Sequence, residues 1–139
     1  MDINIRMKKF APVVLRIGIS LVFLWFGSQQ LLHTAQWTAL IPQSVMDMSH
    51  LTAVTLVHIN GAFEIVFALA LIIGFHIRIT ALLLALHILD IIYVVGYGQT
   101  GVRDFGIAIG TIAVFLYGMD GWSLDRYLSN REVSPTGSI

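Results

Sequence analysis

Apolar residues fill four long stretches of this chain, each broken only by a few isolated polar positions. The first runs from Phe10 to Leu32, interrupted by Arg16, Ser20, Ser28, Gln29 and Gln30. The second, Thr52 to Phe75, holds His58, Asn60 and Glu64; the third, Ile79 to Tyr97, holds His87 and Asp90. The fourth, Phe105 to Met119, is nearly all apolar apart from Thr111. A helix needs roughly 20 such residues to cross hydrocarbon at about 1.5 Å rise each. The first three stretches meet that length. The fourth is short, so it is expected to draw in Gly101 to Arg103 or to thin the bilayer locally. The pattern predicts an all-α polytopic membrane protein, an antiparallel four-helix transmembrane bundle.

The connections refine this picture. The Phe75–Arg78 link is so short that spans two and three must form a helical hairpin. The His33–Leu51 segment is longer and carries Trp37, Leu40, Ile41 and Pro42, which suit a stretch lying on the membrane interface. Gly118, Asp120 and Gly121 are expected to end the fourth span, with Ser123 capping a short interfacial C-terminal helix. That helix would set Trp122, Leu124, Tyr127 and Leu128 against the headgroups. One domain is expected over residues 1–132, followed by a flexible tail at 133–139.

Composition agrees with a lipid solvent. Hydrophobic residues make up 57% of the 139 and charged residues 12%, and mean hydropathy is +0.83. A water-soluble domain carries about 25% charged residues to solvate its surface. Basic and acidic residues balance at 8 each, and without a basic tract nucleic acid is not an expected partner. There is no cysteine, which excludes thiol chemistry and thiolate metal sites. A cleaved secretory signal fits the first stretch poorly, since Arg16 splits it and no small-residue cleavage site closes it.

Charge also gives a direction. If the chain crosses four times, Arg6, Lys8, Lys9, Arg16, Arg78, Arg126 and Arg131 share one side and only Arg103 takes the other. By the positive-inside rule both termini are cytoplasmic and the protein sits in the cell (plasma or inner) membrane.

The polar residues within the spans are the candidates for chemistry, because a charge at the bilayer centre costs roughly 2.5–3.5 kcal/mol on insertion scales. Glu64 lies mid-span, with Asn60 one turn away on the same face. His87 and Asp90 lie mid-span on the third helix, and Tyr93 and Tyr97 continue from Asp90. Gln29, Gln30 and His33 end the first span, and Arg103 and Asp104 open the fourth. These residues could converge on one polar pocket at the outer end. In one reading Glu64 bonds His87 or Asn60 and the cluster only fixes helix pairing. In the other, Glu64, His87, Asp90, Asn60 and Tyr93 form a site for a small polar group or a proton. Arg16 is expected either to snorkel to the headgroups or to bond a neighbouring helix. His58, on another face from Glu64, reads as core packing. The histidines have no H-x-x-x-H spacing, so no metal site is expected. Gly106 and Gly110 form a G-x-x-x-G through which an oligomer or partner helix could approach.

Several short motifs, in order, resemble the DoxX family. They are Leu15-Arg16-Ile17-Gly18 and the Gly27 region, Trp37 and Pro42, and Glu64 leading to Leu71-Ile72-Ile73-Gly74-Phe75-His76-Ile77-Arg78. Val102-Arg103-Asp104-Phe105-Gly106 and Gly121-Trp122-Ser123-Leu124-Asp125-Arg126 complete the set. The resemblance implies a small four-helix inner-membrane protein, with Arg16, Glu64, Arg103 and Asp104 as the positions to watch. It also implies an accessory or membrane subunit of respiratory or sulfur redox chemistry, with contact to a quinone and to a partner redox subunit. Two other functions fit the residues: a non-catalytic membrane assembly or scaffold protein, and a small proton-linked transporter.

Overall fold

The structure, a computed structural model, describes residues 3–96 and 98–132. Tyr97 and the expected tail at 133–139 lie outside the described residues. The elements are α1 (Ile3–Leu32), α2 (Thr34–Thr38), α3 (Gln43–Ser49), α4 (Ala53–Ile73), α5 (Ile77–Val95), α6 (Gln99–Tyr117) and α7 (Leu124–Glu132). Four helices are long and apolar enough to cross a membrane: α1 over Met7–Leu32, α4, α5 and α6. The protein is a four-helix membrane bundle.

The bundle closes as a ring. Its largest contacts are α1 on α4 and α5 on α6, with smaller seams between α4 and α5 and between α1 and α6. Phe23, Ala68, Leu71, Ile77, Leu84, Ala108 and Val114 fill the interior. The outward faces carry Val14, Leu21, Trp25, Val66, Leu86, Ile109 and Leu116. An apolar exterior of this extent is stable only against hydrocarbon. Small residues set the closest approach. A Cβ on Gly27 would lie 2.7 Å from the Gly61 carbonyl oxygen, and one on Gly61 would lie 2.9 Å from that of Gly27.

One boundary differs from the sequence pattern. α6 begins at Gln99, because Gly98 starts the helix well before the apolar run; Arg103 and Asp104 therefore stand within a span. The long connection, whose conformation the pattern left open, holds α2 and α3. The G-x-x-x-G on α6 is split: a Cβ on Gly110 would meet Ile19 Cδ1 at 2.7 Å, while Gly106 faces open space. Half of that motif is used inside the bundle.

The end of the bundle that carries both termini is closed by a polar clasp. Arg16, 2% exposed, bonds Asp120 Oδ2 through Nε at 2.6 Å. Its Nη1 donates to the carbonyls of Leu71 (2.5 Å) and Ile72 (2.6 Å), and Nη2 to that of Trp122 (3.3 Å). Of the two alternatives for Arg16, the structure takes the bond to a neighbouring helix. The carbonyls belong to the last turn of α4, where the helix dipole favours a cation. Gly74 (φ 77°) ends α4 in a left-handed cap, with its N–H bonded to Leu71 and that of Phe75 to Ala70, the Schellman arrangement. Asp125 completes the clasp by accepting from the N–H groups of His76 (2.7 Å) and Ile77 (2.9 Å) at the start of α5.

Asp120→Ala is expected to leave a buried guanidinium without its counter-charge, lowering stability by about 3–5 kcal/mol. Reversible unfolding of the detergent-solubilised chain measures this; an unchanged midpoint would mean that the pair does not hold the clasp.

Candidate functional site

At the opposite end of the bundle α1, α4, α5 and α6 enclose a cavity of about 420 Å³. Phe23, Phe26, Trp37, Ile88, Ile91 and Ile107 supply apolar wall, and Gln30, Asn60, Glu64, Asp90, Arg103 and Asp104 supply the polar groups. The segment from α2 into α3 lies across it, contributing Trp37, Leu40, Ile41, Pro42 and Val45. Trp37 is fixed there by an edge contact with Phe26, ring centroids 5.9 Å apart.

The hydrogen-bonded polar wall joins α1 and α4 around Glu64, which is 2% exposed. Gln30 Nε2 donates to Glu64 Oε2 at 3.0 Å. Asn60 Nδ2 donates to Gln30 Oε1 at 2.7 Å and, at 3.4 Å, to Glu64 Oε1. The reach follows from helix geometry: side chains lean toward their own N-terminus, so in the antiparallel α1 and α4 they lean toward each other. His87 Nε2 lies 3.4 Å from Glu64 Oε1, yet has no aligned hydrogen-bond partner among the described residues. Its ring packs on Phe63 at 4.6 Å between centroids. His87 is thus not on the cavity wall but behind it, on the far side of Glu64.

Two amides thus aim N–H groups at the oxygens of Glu64, and the His87 imidazole stands beside one of them without an aligned bond. Across the cavity Arg103 Nε donates to Asp104 Oδ1 at 2.7 Å, and the guanidinium lies 4.6 Å over the Phe26 ring. Asp104 is buried while Arg103 is half exposed, and the Arg103 Nη donors have no partner among the described residues. Asp90 reaches the cavity edge without a hydrogen-bond partner among the described residues.

Of the expected site residues, Glu64, Asn60 and His87 come together and Asp90 lines the same cavity. Tyr93 does not join them; it is 88% exposed and faces away. Gln30 enters the network, whereas Gln29 and His33 do not. His58 is exposed rather than packed in the core and contacts Thr34 Oγ1 at 3.1 Å. Arg103 and Asp104 share the cavity, but Arg16 belongs to the other end. Asp120 and Gly61 have functions in the structure that the sequence did not suggest. The signal for Gly61 was its placement three residues before Glu64, on the flank facing α1.

The DoxX family model matches residues 11–97, more than half of the chain. Arg16 and Glu64 fall within the match; Arg103 and Asp104 lie beyond it. No curated protein and no solved structure matches.

Glu64→Leu is expected to strand the donors of Gln30 and Asn60 and to cost about 1–3 kcal/mol. Tyr93→Ala, at an outward position, should change stability by no more than about 0.5 kcal/mol. Parallel unfolding titrations in detergent compare them, and equal losses would contradict the placement of Glu64.

Proposed function

The chain belongs to the DoxX family, and from that footing we propose that it is an accessory membrane subunit of respiratory or sulfur redox chemistry that binds a quinone headgroup in the cavity beside Glu64. The single observation that carries this reading is the cavity's division into aromatic and aliphatic walls and a compact polar wall. Its volume lies in the ~300–1,000 Å³ range of small-molecule sites. A quinone ring needs a flat apolar slot and a hydrogen-bond donor for each carbonyl oxygen. Phe26, Trp37 and Ile91 suit the slot, and the Arg103 Nη groups and the second N–H of the Gln30 amide suit the donors. A bound quinone would supply two-electron, two-proton redox chemistry. Glu64 would hold or release a proton at the cavity wall, with the imidazole of His87 3.4 Å from one of its oxygens. The electron-carrying centre would belong to a partner subunit, and the chain has no cysteine to ligate an iron–sulfur cluster.

A scaffold role is the second reading, favoured by the hydrogen bonds that tie Gln30, Asn60 and Glu64 across the α1–α4 seam. The reading also includes an orientation with both termini in the cytoplasm, supported by the gathering of seven of the eight basic residues, all but Arg103, at the terminal end.

Quenching of tryptophan fluorescence by a short-chain quinone in detergent tests the site, since Trp37 lines it. Glu64→Gln and Arg103→Gln are each expected to weaken binding about ten-fold while the fold persists. Absence of binding to the unaltered chain refutes the quinone reading, and loss of folding with Glu64→Gln supports the scaffold. For orientation, the cysteine-free chain accepts single probes cleanly. A membrane-impermeant maleimide added to intact cells should label Ser44→Cys in α3 and spare Ser129→Cys in α7. The reverse pattern would invert the topology.

A further inference from the structure

Between the first turns of α1 and the end of α6 the two helices part, leaving a second crevice of about 520 Å³. Its walls include Pro12, Leu15, Val114 and Tyr117, and the Arg16–Asp120 pair closes its base. The apolar walls make it a poor site for water, and open space of this size forfeits dispersion contacts unless something fills it. On the side of a membrane bundle the available filler is an acyl chain.

Its polar surroundings restrict what that chain can belong to. Lys8 lines the crevice and is exposed. Arg78 lies against Gly118, another lining residue; a Cβ there would be 2.6 Å from Arg78 Nε. Asp120 is already neutralised by Arg16 at 2.6 Å, so it does not cancel these two cations. Pro12 has no N–H, which leaves the Lys8 carbonyl one turn earlier without its helical donor. Trp122, exposed and in edge contact with Phe10 at 6.0 Å, marks this end as headgroup depth.

We propose that this crevice is a binding site for an anionic phospholipid, its acyl chain lying between α1 and α6 and its phosphate held by Lys8 and Arg78. A zwitterionic lipid would bring an ammonium group toward the same two cations, so the site discriminates by charge. A hydroxylated headgroup would in addition supply the donor that the Lys8 carbonyl lacks. The site is separate from the cavity beside Glu64 and does not depend on what occupies it.

Native mass spectrometry of the full chain in detergent, titrated with phosphatidylglycerol or phosphatidylcholine of matched acyl chains, tests the proposal. One phosphatidylglycerol should be retained in preference to phosphatidylcholine. Lys8→Gln should reduce that preference about five-fold, the effect of one cation at a membrane surface. Lys9→Gln, which changes an exposed residue outside the crevice, should have a smaller effect. Ala113→Phe should fill the space and displace either lipid. Equal retention of the two lipids, an unchanged preference in Lys8→Gln, or a dimer that excludes lipid would each overturn the proposal.

Discussion

A guanidinium at the edge of hydrocarbon organises this bundle. The Arg16 side chain presents five N–H donors in a fixed plane, so in the membrane it must be fully partnered or leave. Its partners come from separate parts of the chain: the last carbonyls of α4 and the Asp120–Trp122 turn after α6. Satisfying one side chain of α1 therefore fixes the ends of two other helices. Asp125 then uses the same turn to cap α5. Arg16 sits at a helix C-terminus and Asp125 at a helix N-terminus, so each charge meets the favourable end of a helix dipole. A buried pair made this way adds less to stability than its attraction suggests, because both ions are desolvated. What it does in this structure is tie α1, the end of α4 and the turn after α6 at one point.

The other end is held differently, and the difference makes room for a site. There the bonds run between neutral amides and one carboxylate on α1 and α4, while α5 and α6 stand back across the cavity. The close approach of Gly27 and Gly61 brings α1 near enough for Gln30 to reach Glu64. A larger residue at either glycine would widen that seam and detach the amides from the carboxylate. The α2–α3 segment covers the cavity with apolar side chains on two short helices. The bundle is thus rigid where charge is buried in pairs and hollow where polar groups face a common space.

The four spans were legible because hydrocarbon imposes its pattern locally: each helix satisfies its own backbone and needs only length and apolarity. Convergence of Glu64, Asn60 and His87 was also legible, since mid-span polar residues in a small bundle share a depth. Depth does not reveal direction. Steps of three along α5 each fall about 60° short of a full turn, so the series from His87 through Asp90 to Tyr93 winds outward until Tyr93 faces lipid. His58 was misread for a related reason: a polar residue near a span end can reach a neighbour outside the core, here Thr34. Asp120 looked like a helix terminator because its partner, Arg16, is 104 residues away. Nothing local marks such a pair.

The polar wall also has two sides, and Glu64 is the residue common to both. Gln30 and Asn60 bond its oxygens, and His87 of α5 stands 3.4 Å from one of them without an aligned bond. A group entering the cavity and donating to Glu64 must compete with an amide already bonded there. The cavity and the α4–α5 seam therefore meet at one side chain, whichever molecule fills the space in front of it.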